Sequence, residues 1–197
     1  MKKDKYLILG ISSFSGASMA AYLIKRNKSV YGSYRNNKVK PYLPFKFYEK
    51  NNNKIKLVKV DILKDGNKLI NFIKKVKPNY IIDFASICMV GESWLKPKKY
   101  FDINVTEKIN LIQNLSKLKN FKKYIYISTP EIFGSSNDNI KEDCKVFAPN
   151  TPYANSKLSF EFLISSFAKN FNLPIIIARF SNFYGPGQPA YRLIPKI

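Results

Sequence analysis

Short apolar runs alternate along the chain with segments whose apolar residues recur at helical spacing. The runs predict strands at residues 5–10, 29–34, 55–60, 79–84, 124–128 and 174–180, and the segments between them predict helices at 15–26, 66–76, 97–118 and 151–170. The polar stretch 35–54, which contains two prolines, is predicted to be a loop. Nearly continuous apolar strands that alternate with helices indicate an α/β protein, with a doubly wound parallel sheet covered by helices on both faces.

The composition narrows the possible chemistry. The chain has 197 residues, 45% of them hydrophobic, which predicts one compact domain with a proper core. It has no histidine, so Ser-His-Asp catalysis, Cys-His catalysis and His-ligated metal sites are excluded, and we expect no metal. Cys88 and Cys144 lie in unrelated contexts, and no long apolar run or signal peptide is evident, so we expect a cytoplasmic protein with no membrane partner.

The formal net charge of +21 raises the question of a nucleic-acid partner. Of the 34 lysines and arginines only four are arginine, and the lysines are scattered along the chain. Proteins that read nucleic acids use arginine more, because its planar fork fits phosphates and guanine edges. We therefore interpret the charge as a solvated surface that helps attract an anionic small substrate, and we expect no nucleic-acid partner.

A glycine turn follows the first predicted strand and leads into the first helix. Gly10 permits a tight turn, Gly16 permits close packing of helix on strand, and free N–H groups at the helix start can hold a pyrophosphate. Ser13 stands where such turns usually carry their middle glycine; it narrows the space, although its hydroxyl can donate to a phosphate. The pattern predicts a Rossmann-type sheet that binds a dinucleotide through Gly10, Ser12, Ser13, Phe14, Ser15 and Gly16.

The end of the second strand bears on the choice of cofactor. Folds that prefer NAD usually place an acidic residue there to hold the ribose 2′-hydroxyl, but this chain has Ser33, Tyr34 and Arg35. Since Arg35 and Ser33 can accept a 2′-phosphate, we favour NADP over NAD. Asp61 and Ile62, after the third strand, are either contacts to the adenine or plain turn residues.

The strongest catalytic candidates are Tyr153 and Lys157, which lie four residues apart on a predicted helix and so share one face. They follow a strand that ends in Ser128 and Thr129. A nearby ammonium lowers the pKa of a tyrosine. The pair therefore predicts a base that takes a proton from an alcohol while a hydride leaves the same carbon.

With these motifs in hand, the chain resembles the extended short-chain dehydrogenase/reductases that modify nucleotide sugars, the NAD-dependent epimerase/dehydratase family. The blocks that carry the resemblance are Gly10–Gly16, Asp61–Ile62, Asp83–Ser86, Ser93, Pro97, Asn104, Ser128–Gly134, Pro149–Lys157 and Arg179–Pro186. Within that family the segment Ser128–Gly134 is most similar to the sugar-nucleotide 4,6-dehydratases of the GDP-mannose or dTDP-glucose type.

The resemblance implies roles for particular residues. Tyr153 would remove the O4 proton, Lys157 would hold the cofactor ribose, Thr129 would bind the sugar near O4, and Glu131 would take the C5 proton before water leaves from C6. It also implies that Phe84, Ala85, Ser86, Tyr153 and Lys157 contact the cofactor, that Ser93, Thr129 and Asn182 contact the substrate, and that Asn104 supports the site.

Pro130 departs from the family pattern, because the dTDP-glucose enzymes carry at this position an aspartate that protonates the C6 hydroxyl. Either Glu131 plays both roles, or the reaction is not dehydration. The alternatives are therefore a nucleotide-sugar 4-epimerase or reductase of the same family, a non-catalytic dinucleotide-binding module, or a basic nucleic-acid binder.

The resemblance also predicts domain organisation. Residues 1–180 would form the dinucleotide-binding domain, and residues 181–197 would begin a substrate-binding domain that is truncated here. Members of the family often pair through the helices that correspond to 97–118 and 151–170, and we expect a homodimer of that kind.

Overall fold

The computed structural model describes residues 3–35, 41–48, 55–119, 121–136, 139–182, 184–190, 192 and 194. Within these residues, six parallel strands form one sheet in the order β3–β2–β1–β4–β5–β6. The strands are β1 Lys5–Leu9, β2 Ser29–Tyr34, β3 Lys56–Lys59, β4 Tyr80–Asp83, β5 Lys123–Ser128 and β6 Ile175–Arg179. The predicted doubly wound parallel sheet is therefore confirmed.

The helices agree with the prediction in place but differ in detail. They are α1 Phe14–Lys25, α2 Gly66–Val76, α3 Val90–Leu95, α4 Pro97–Phe101, α5 Glu107–Leu115 and α6 Pro152–Phe171. The single helix predicted at 97–118 ends at Leu115, and a π-helical turn, Asp102–Thr106, separates α4 from α5. Sequence periodicity missed α3, which is too short to give a repeating pattern.

The connections between strands cover both faces of the sheet. On one face, α1 packs with Leu43 and Phe45 in a cluster that also contains Ile8 of β1 and Ile82 of β4. On the other face, α2, α5 and α6 pack against the alternate residues of the same strands. Because successive side chains of a strand point to opposite faces of the sheet, the side chains on both faces of each central strand are buried.

The loop predicted at 35–54 contains a short 3-10 helix, Pro44–Tyr48, where the structure describes it. Leu43 and Phe45 are buried against α1, which explains why this part of the stretch is ordered into a helix. Residues 36–40 and 49–54 of the predicted loop lie outside the described residues.

The strand order places the carboxyl ends of β2, β1 and β4 side by side. Leu9, the last residue of β1, pairs with Ser33 of β2 and with Asp83 of β4. Chain connections leave β1 toward one face and β4 toward the other, so a crevice opens where the strand order reverses. Among the described residues, no helix combines the length and the apolar character needed to cross a membrane.

A prediction follows from the packing of β2 on the turn after β1. A Cβ added to Gly32 would lie 2.5 Å from Cδ1 and 2.8 Å from Cβ of Ile11. A clash with a β-carbon is not relieved by a rotamer change, so Gly32→Ala should lower the free energy of unfolding in urea by about 1–3 kcal/mol. Gly66→Ala is the matched control: its Cβ would meet open space at the start of α2. It should leave stability unchanged or raise it by up to about 1 kcal/mol.

Candidate active site

The glycine turn after β1 is packed tightly against the end of β4. Gly10 has a φ of +73°, which L side chains rarely adopt, and a Cβ there would lie 3.0 Å from the Ala85 nitrogen. A Cβ on Gly16 would collide with the carbonyl oxygen of Gly10. The turn therefore has no room for side chains at these two positions, as expected of a backbone cradle for a phosphate.

Ser13 fits the turn because it caps α1. Its Oγ accepts a hydrogen bond from the N–H of Gly16 at 3.0 Å, the usual role of a serine at a helix N-cap. Its φ of −73° needs no glycine, so the missing middle glycine does not distort the turn. Ser12, Phe14 and Ser15 are half-buried beside it, at the same edge of the sheet as Phe84, Ala85 and Ser86.

Two predicted cofactor residues have structural partners of their own. Ser33 is buried, and its Oγ accepts a hydrogen bond from the Gly10 N–H at 3.3 Å, so it braces the glycine turn. Asp61 accepts from the Leu63 N–H at 3.1 Å and donates its own N–H to Asp65 at 3.0 Å, so it holds the turn before α2. Arg35, by contrast, is exposed just after β2.

Thr129, Glu131 and Tyr153 come together beyond the end of β5, and Lys157 reaches Ile127 within the strand. Thr129 caps the 3-10 turn Pro130–Phe133 and accepts from the Glu131 N–H at 3.3 Å. Its hydroxyl is also hydrogen-bonded to the Tyr153 side chain. Pro130 occupies the first position of the turn, where a proline costs no hydrogen bond.

Tyr153 is buried near the start of α6. Its ring meets the ring of Tyr100 edge to face, with 6.3 Å between centroids, and the Tyr100 hydroxyl donates to the Met89 carbonyl at 2.5 Å. Burial raises the pKa of Tyr153; the nearby Cys88 and Glu131 add to the rise, and the hydrogen bond with Thr129 opposes it. The predicted net lowering of the Tyr153 pKa is therefore wrong for this structure, because burial is the largest influence on this pKa and raises it.

Lys157 is almost completely buried one helical turn further along α6. Its Nζ donates to the Ile127 carbonyl at 2.6 Å and lies 4.3 Å from the centroid of the Tyr126 ring. Burial, and after it the second buried ammonium, that of Lys108, lower the pKa of Lys157 to about 7. The Lys157 Nζ thus lies between the Ile127 carbonyl and the Tyr126 ring.

Glu131 is exposed at the surface, but partial shielding of its carboxyl from water raises the pKa of that carboxyl above the usual value. A carboxyl with a raised pKa binds a proton more readily, which suits a general acid or base. The arrangement therefore places a phenol, a hydroxyl and a carboxyl within one small region, where they can exchange protons with a bound alcohol.

Asn104, in the π-helical turn, fixes the loop after β4 to α6. Its side chain exchanges two hydrogen bonds with the backbone of Ile87, at 3.1 and 3.2 Å, and donates to the Ser156 Oγ at 3.0 Å. Ser156 in turn donates to the carbonyl of Tyr153 at 2.7 Å. Such turns often occur at functional sites, but the helical pattern of residues 97–118 gives no sign of this one.

The two further predicted substrate residues lie in different surroundings. Ser93 is fully buried in α3, where its hydroxyl donates to the Val90 carbonyl at 2.6 Å, as a structural serine does. Asn182 is exposed after β6.

Sequence reasoning missed Cys88 and Tyr100, which both lie near Tyr153; neither belongs to a motif that would have revealed it. Across the described part of the chain, no group of three His, Cys, Asp or Glu residues could hold a metal ion.

The strand order, the glycine turn and the crevice between β1 and β4 define a Rossmann-type dinucleotide-binding fold. A family model described as GDP-mannose 4,6 dehydratase matches residues 7–197. The chain therefore belongs to that family, within the NAD-dependent epimerase/dehydratases of the extended short-chain dehydrogenase/reductase group, and the resemblance stated from its motifs is confirmed.

The individual relatives include both dehydratases and epimerases. The dTDP-D-glucose 4,6-dehydratase of Dictyostelium discoideum is 32% identical over 98% of this chain and 47% of its own length. The UDP-glucose 4-epimerase of Mycoplasma genitalium is 29% identical over 95% of this chain and 55% of its own length. The chain thus spans about half the length of these relatives.

Solved structures divide in the same way. The dTDP-glucose 4,6-dehydratase from Bacillus anthracis in complex with NAD has a TM-score of 0.81 at 26% identity, over 98% of this chain and 59% of that chain. The UDP-glucuronic acid 4-epimerase from Bacillus cereus, in complex with UDP-glucuronic acid and NAD, has the same TM-score at 27% identity, over 97% and 60%. The fold is common to both activities and does not distinguish them.

The buried ammonium of Lys157 leads to a prediction about stability. Its pKa is about 7 in the folded chain and near 10.4 when unfolded, so between these values the unfolded state binds more protons. The cost of charging Lys157 is therefore fully present below pH 7 and is relieved as the pH rises towards 10. Lys157→Met should raise the free energy of unfolding at pH 7 by a few kcal/mol, since each pKa unit corresponds to about 1.4 kcal/mol.

The difference in free energy of unfolding between Lys157→Met and the unchanged chain should shrink steadily between pH 7 and pH 10, as measured by urea unfolding at a series of pH values. Lys169→Met, which removes an exposed lysine near the end of the same helix, is the control and should show no such trend. A difference in free energy of unfolding that stayed constant with pH would show that the destabilisation does not come from the charge on Lys157.

Proposed function

We propose that the protein is a sugar-nucleotide 4,6-dehydratase, which uses NAD(P) to oxidise C4 of the hexose transiently. The observation that carries the proposal is the hydrogen-bonded group at the end of β5: Thr129 bonds to the Tyr153 side chain and to the backbone of Glu131. A carboxyl is thereby held close to the predicted base. Membership of the family and the activities of the dehydratase relatives support the same reading.

The dinucleotide would lie across the crevice at the ends of β1 and β4. The side-chain-free turn at Gly10 and Gly16, capped by Ser13, suits a pyrophosphate at the start of α1. When bound, the nicotinamide would accept a hydride from C4 of the sugar and later return it to C6. Lys157 reaches the carboxyl end of β5 and would hold the ribose there.

Tyr153 would take the proton from the O4 hydroxyl as the C4 hydride leaves. Its raised pKa means that burial holds it as a phenol in this structure, so the base needs help to reach its charged form. The Thr129 hydroxyl supplies part of that help, because its hydrogen bond lowers the Tyr153 pKa. A charged Lys157 on the same helix face would supply more.

Glu131 would then act on C5, whose proton becomes acidic only once C4 is a ketone. Its carboxylate takes the C5 proton, and the C6–O bond breaks as the C5=C6 double bond forms. The departing hydroxide needs one proton to leave as water. Pro130 has none to give, so Glu131 would pass on the proton it has just accepted, and the raised pKa of its carboxyl makes it a better carrier. When the hydride returns to C6, C5 would regain a proton, which is the one that Tyr153 took from O4.

Substitution of Glu131 tests this assignment. With the chain, NAD(P) and a panel of UDP-, dTDP- and GDP-hexoses, we expect a product lighter by one water in mass spectrometry. Glu131→Gln should slow its formation by about 10²-fold or more, a usual contribution of a general base, while oxidation at C4 still produces reduced nicotinamide absorbance. Glu142→Gln, an exposed glutamate of the following loop, should leave dehydration unchanged. Dehydration that survives Glu131→Gln would exclude this residue from the mechanism.

Pro130 is the observation that favours a second candidate, a nucleotide-sugar 4-epimerase. That reaction needs the Tyr153 base but no acid for the C6 hydroxyl, and epimerase relatives match the chain over almost its whole length. Its product would be an isomer of unchanged mass in the same assay. Dinucleotide binding without any turnover would instead favour a non-catalytic binding module.

We propose NADP over NAD as the preferred cofactor, on the exposure of Arg35 after β2 and the lack of an acid at positions 33–35. Because Ser33 is buried against the glycine turn, Arg35 is the more accessible of the two residues predicted to meet a 2′-phosphate. In fluorescence titrations Arg35→Gln should weaken NADPH binding about tenfold, as for the loss of one charged hydrogen bond, with little change for NADH. Gly10→Ala, which obstructs the turn itself, should weaken both. Tighter binding of NADH by the unchanged chain would contradict the preference.

A further inference from the structure

A buried ion pair lies behind the candidate active site and has no part in the mechanism described above. Lys108 of α5 donates to the Asp83 carboxylate of β4 at 2.7 Å, and both side chains are fully shielded from solvent. The Tyr124 hydroxyl donates to the same Asp83 oxygen at 2.5 Å, and the Ala85 N–H donates to the other at 2.9 Å. The carboxylate is therefore well satisfied by hydrogen bonds.

The pair is connected to Lys157 through the ring of Tyr126. The Lys108 Nζ lies 5.3 Å from the centroid of this ring, and the Lys157 Nζ lies 4.3 Å from the same centroid. The ring packs edge to face on Phe160, and its hydroxyl has no hydrogen-bond partner among the described residues. Two buried ammonium groups thus share one aromatic ring, away from water that would screen them.

We propose that Asp83 and Lys108 form a charge pair that positions Lys157 and sets the balance between its charged and neutral forms, acting across the ring of Tyr126. Repulsion from Lys108 keeps the Lys157 ammonium at the Ile127 carbonyl, toward the Thr129 end of β5. Asp83 offsets part of that repulsion. Both are positioning residues. The consequence for catalysis rests on the proposed function, in which a charged Lys157 helps Tyr153 to reach its charged form.

The groups that face Lys157 act in opposite directions. After burial itself, Lys108 is the largest influence that lowers the Lys157 pKa, whereas Asp83 raises it. Cys88, in the loop before α3, and Glu161, on α6, also raise it. Because Lys108 and Asp83 carry opposite charges, removing the one charge and removing the other should shift the Lys157 pKa in opposite directions. A purely structural role would not produce such opposite shifts.

Titration of Lys157 by NMR in chain labelled with 13C at the lysine ε-carbons tests the proposal. The Lys157 signal is assigned by its loss in Lys157→Met. Lys108→Met should raise the titration midpoint of Lys157 by about one pH unit, because Asp83 is then no longer opposed by Lys108, and Asp83→Asn should lower the midpoint by a similar amount. Lys98→Met is the control: Lys98 makes an ion pair of the same 2.7 Å length with Asp102, but it is exposed, and the Lys157 midpoint should not move.

Removing one partner of a buried pair can prevent folding, whereas replacing both with neutral groups is much better tolerated. The double variant Asp83→Asn/Lys108→Met keeps the test decisive in that case. Its Lys157 midpoint should rise, by less than in Lys108→Met, because the larger of the two influences is the one from Lys108. Shifts in the same direction for both single variants, or no shift in the double variant, would overturn the proposal.

The titration is independent of catalysis, so the two proposals can fail separately. Opposite shifts in a chain that binds no dinucleotide would support the charge pair and contradict the proposed function. Turnover of a nucleotide sugar with an unmoved Lys157 midpoint would contradict the charge pair alone.

Discussion

The parallel pairing of β1 with β4 is the constraint on which the candidate site depends. It brings the turn at Gly10 so close to the end of β4 that a Cβ on Gly10 would lie 3.0 Å from the Ala85 nitrogen. Together with the pairing of β1 and β2, it aligns the ends of β2, β1 and β4 at one edge. Ser33 braces the turn from the β2 side through its hydrogen bond to Gly10. The crevice is therefore formed by backbone held at close range, which is why serine can replace the middle glycine at Ser13 but no larger group fits at Gly10.

The parts of the molecule that follow from periodicity were predictable from the sequence. Buried parallel strands are apolar on both faces, so their positions appear as runs, and the residues that follow them, such as Gly10 and Thr129, fall at the functional edge. The Tyr153–Lys157 spacing is equally local, because one helical turn brings the two residues to one face. Each of these features depends on neighbours in the chain.

The features that could not be predicted depend on contacts between distant segments. Lys108 and Asp83 are 25 residues apart, and nothing in the pattern around either one marks it as the partner of a buried charge. The π-helical turn at Asn104 is stabilised by Ile87 and Ser156, which lie on other segments. The error about the Tyr153 pKa has the same origin: sequence spacing identifies a nearby ammonium, but only the packing shows that burial outweighs it.

In the proposed function, the choice between dehydration and epimerisation depends on a single stretch of backbone after β5. Thr129 caps a 3-10 turn, and the turn begins with Pro130, whose fixed φ suits that position but which has no proton to give. The same turn brings Glu131 to the edge of the site with a raised carboxyl pKa. An epimerase would have no use for a proton carrier there, whereas a dehydratase without an acid at position 130 needs one that can both accept and return a proton. The turn Pro130–Phe133 lacks an acid at position 130, and Glu131 is the one residue of these four that could take the place of that acid.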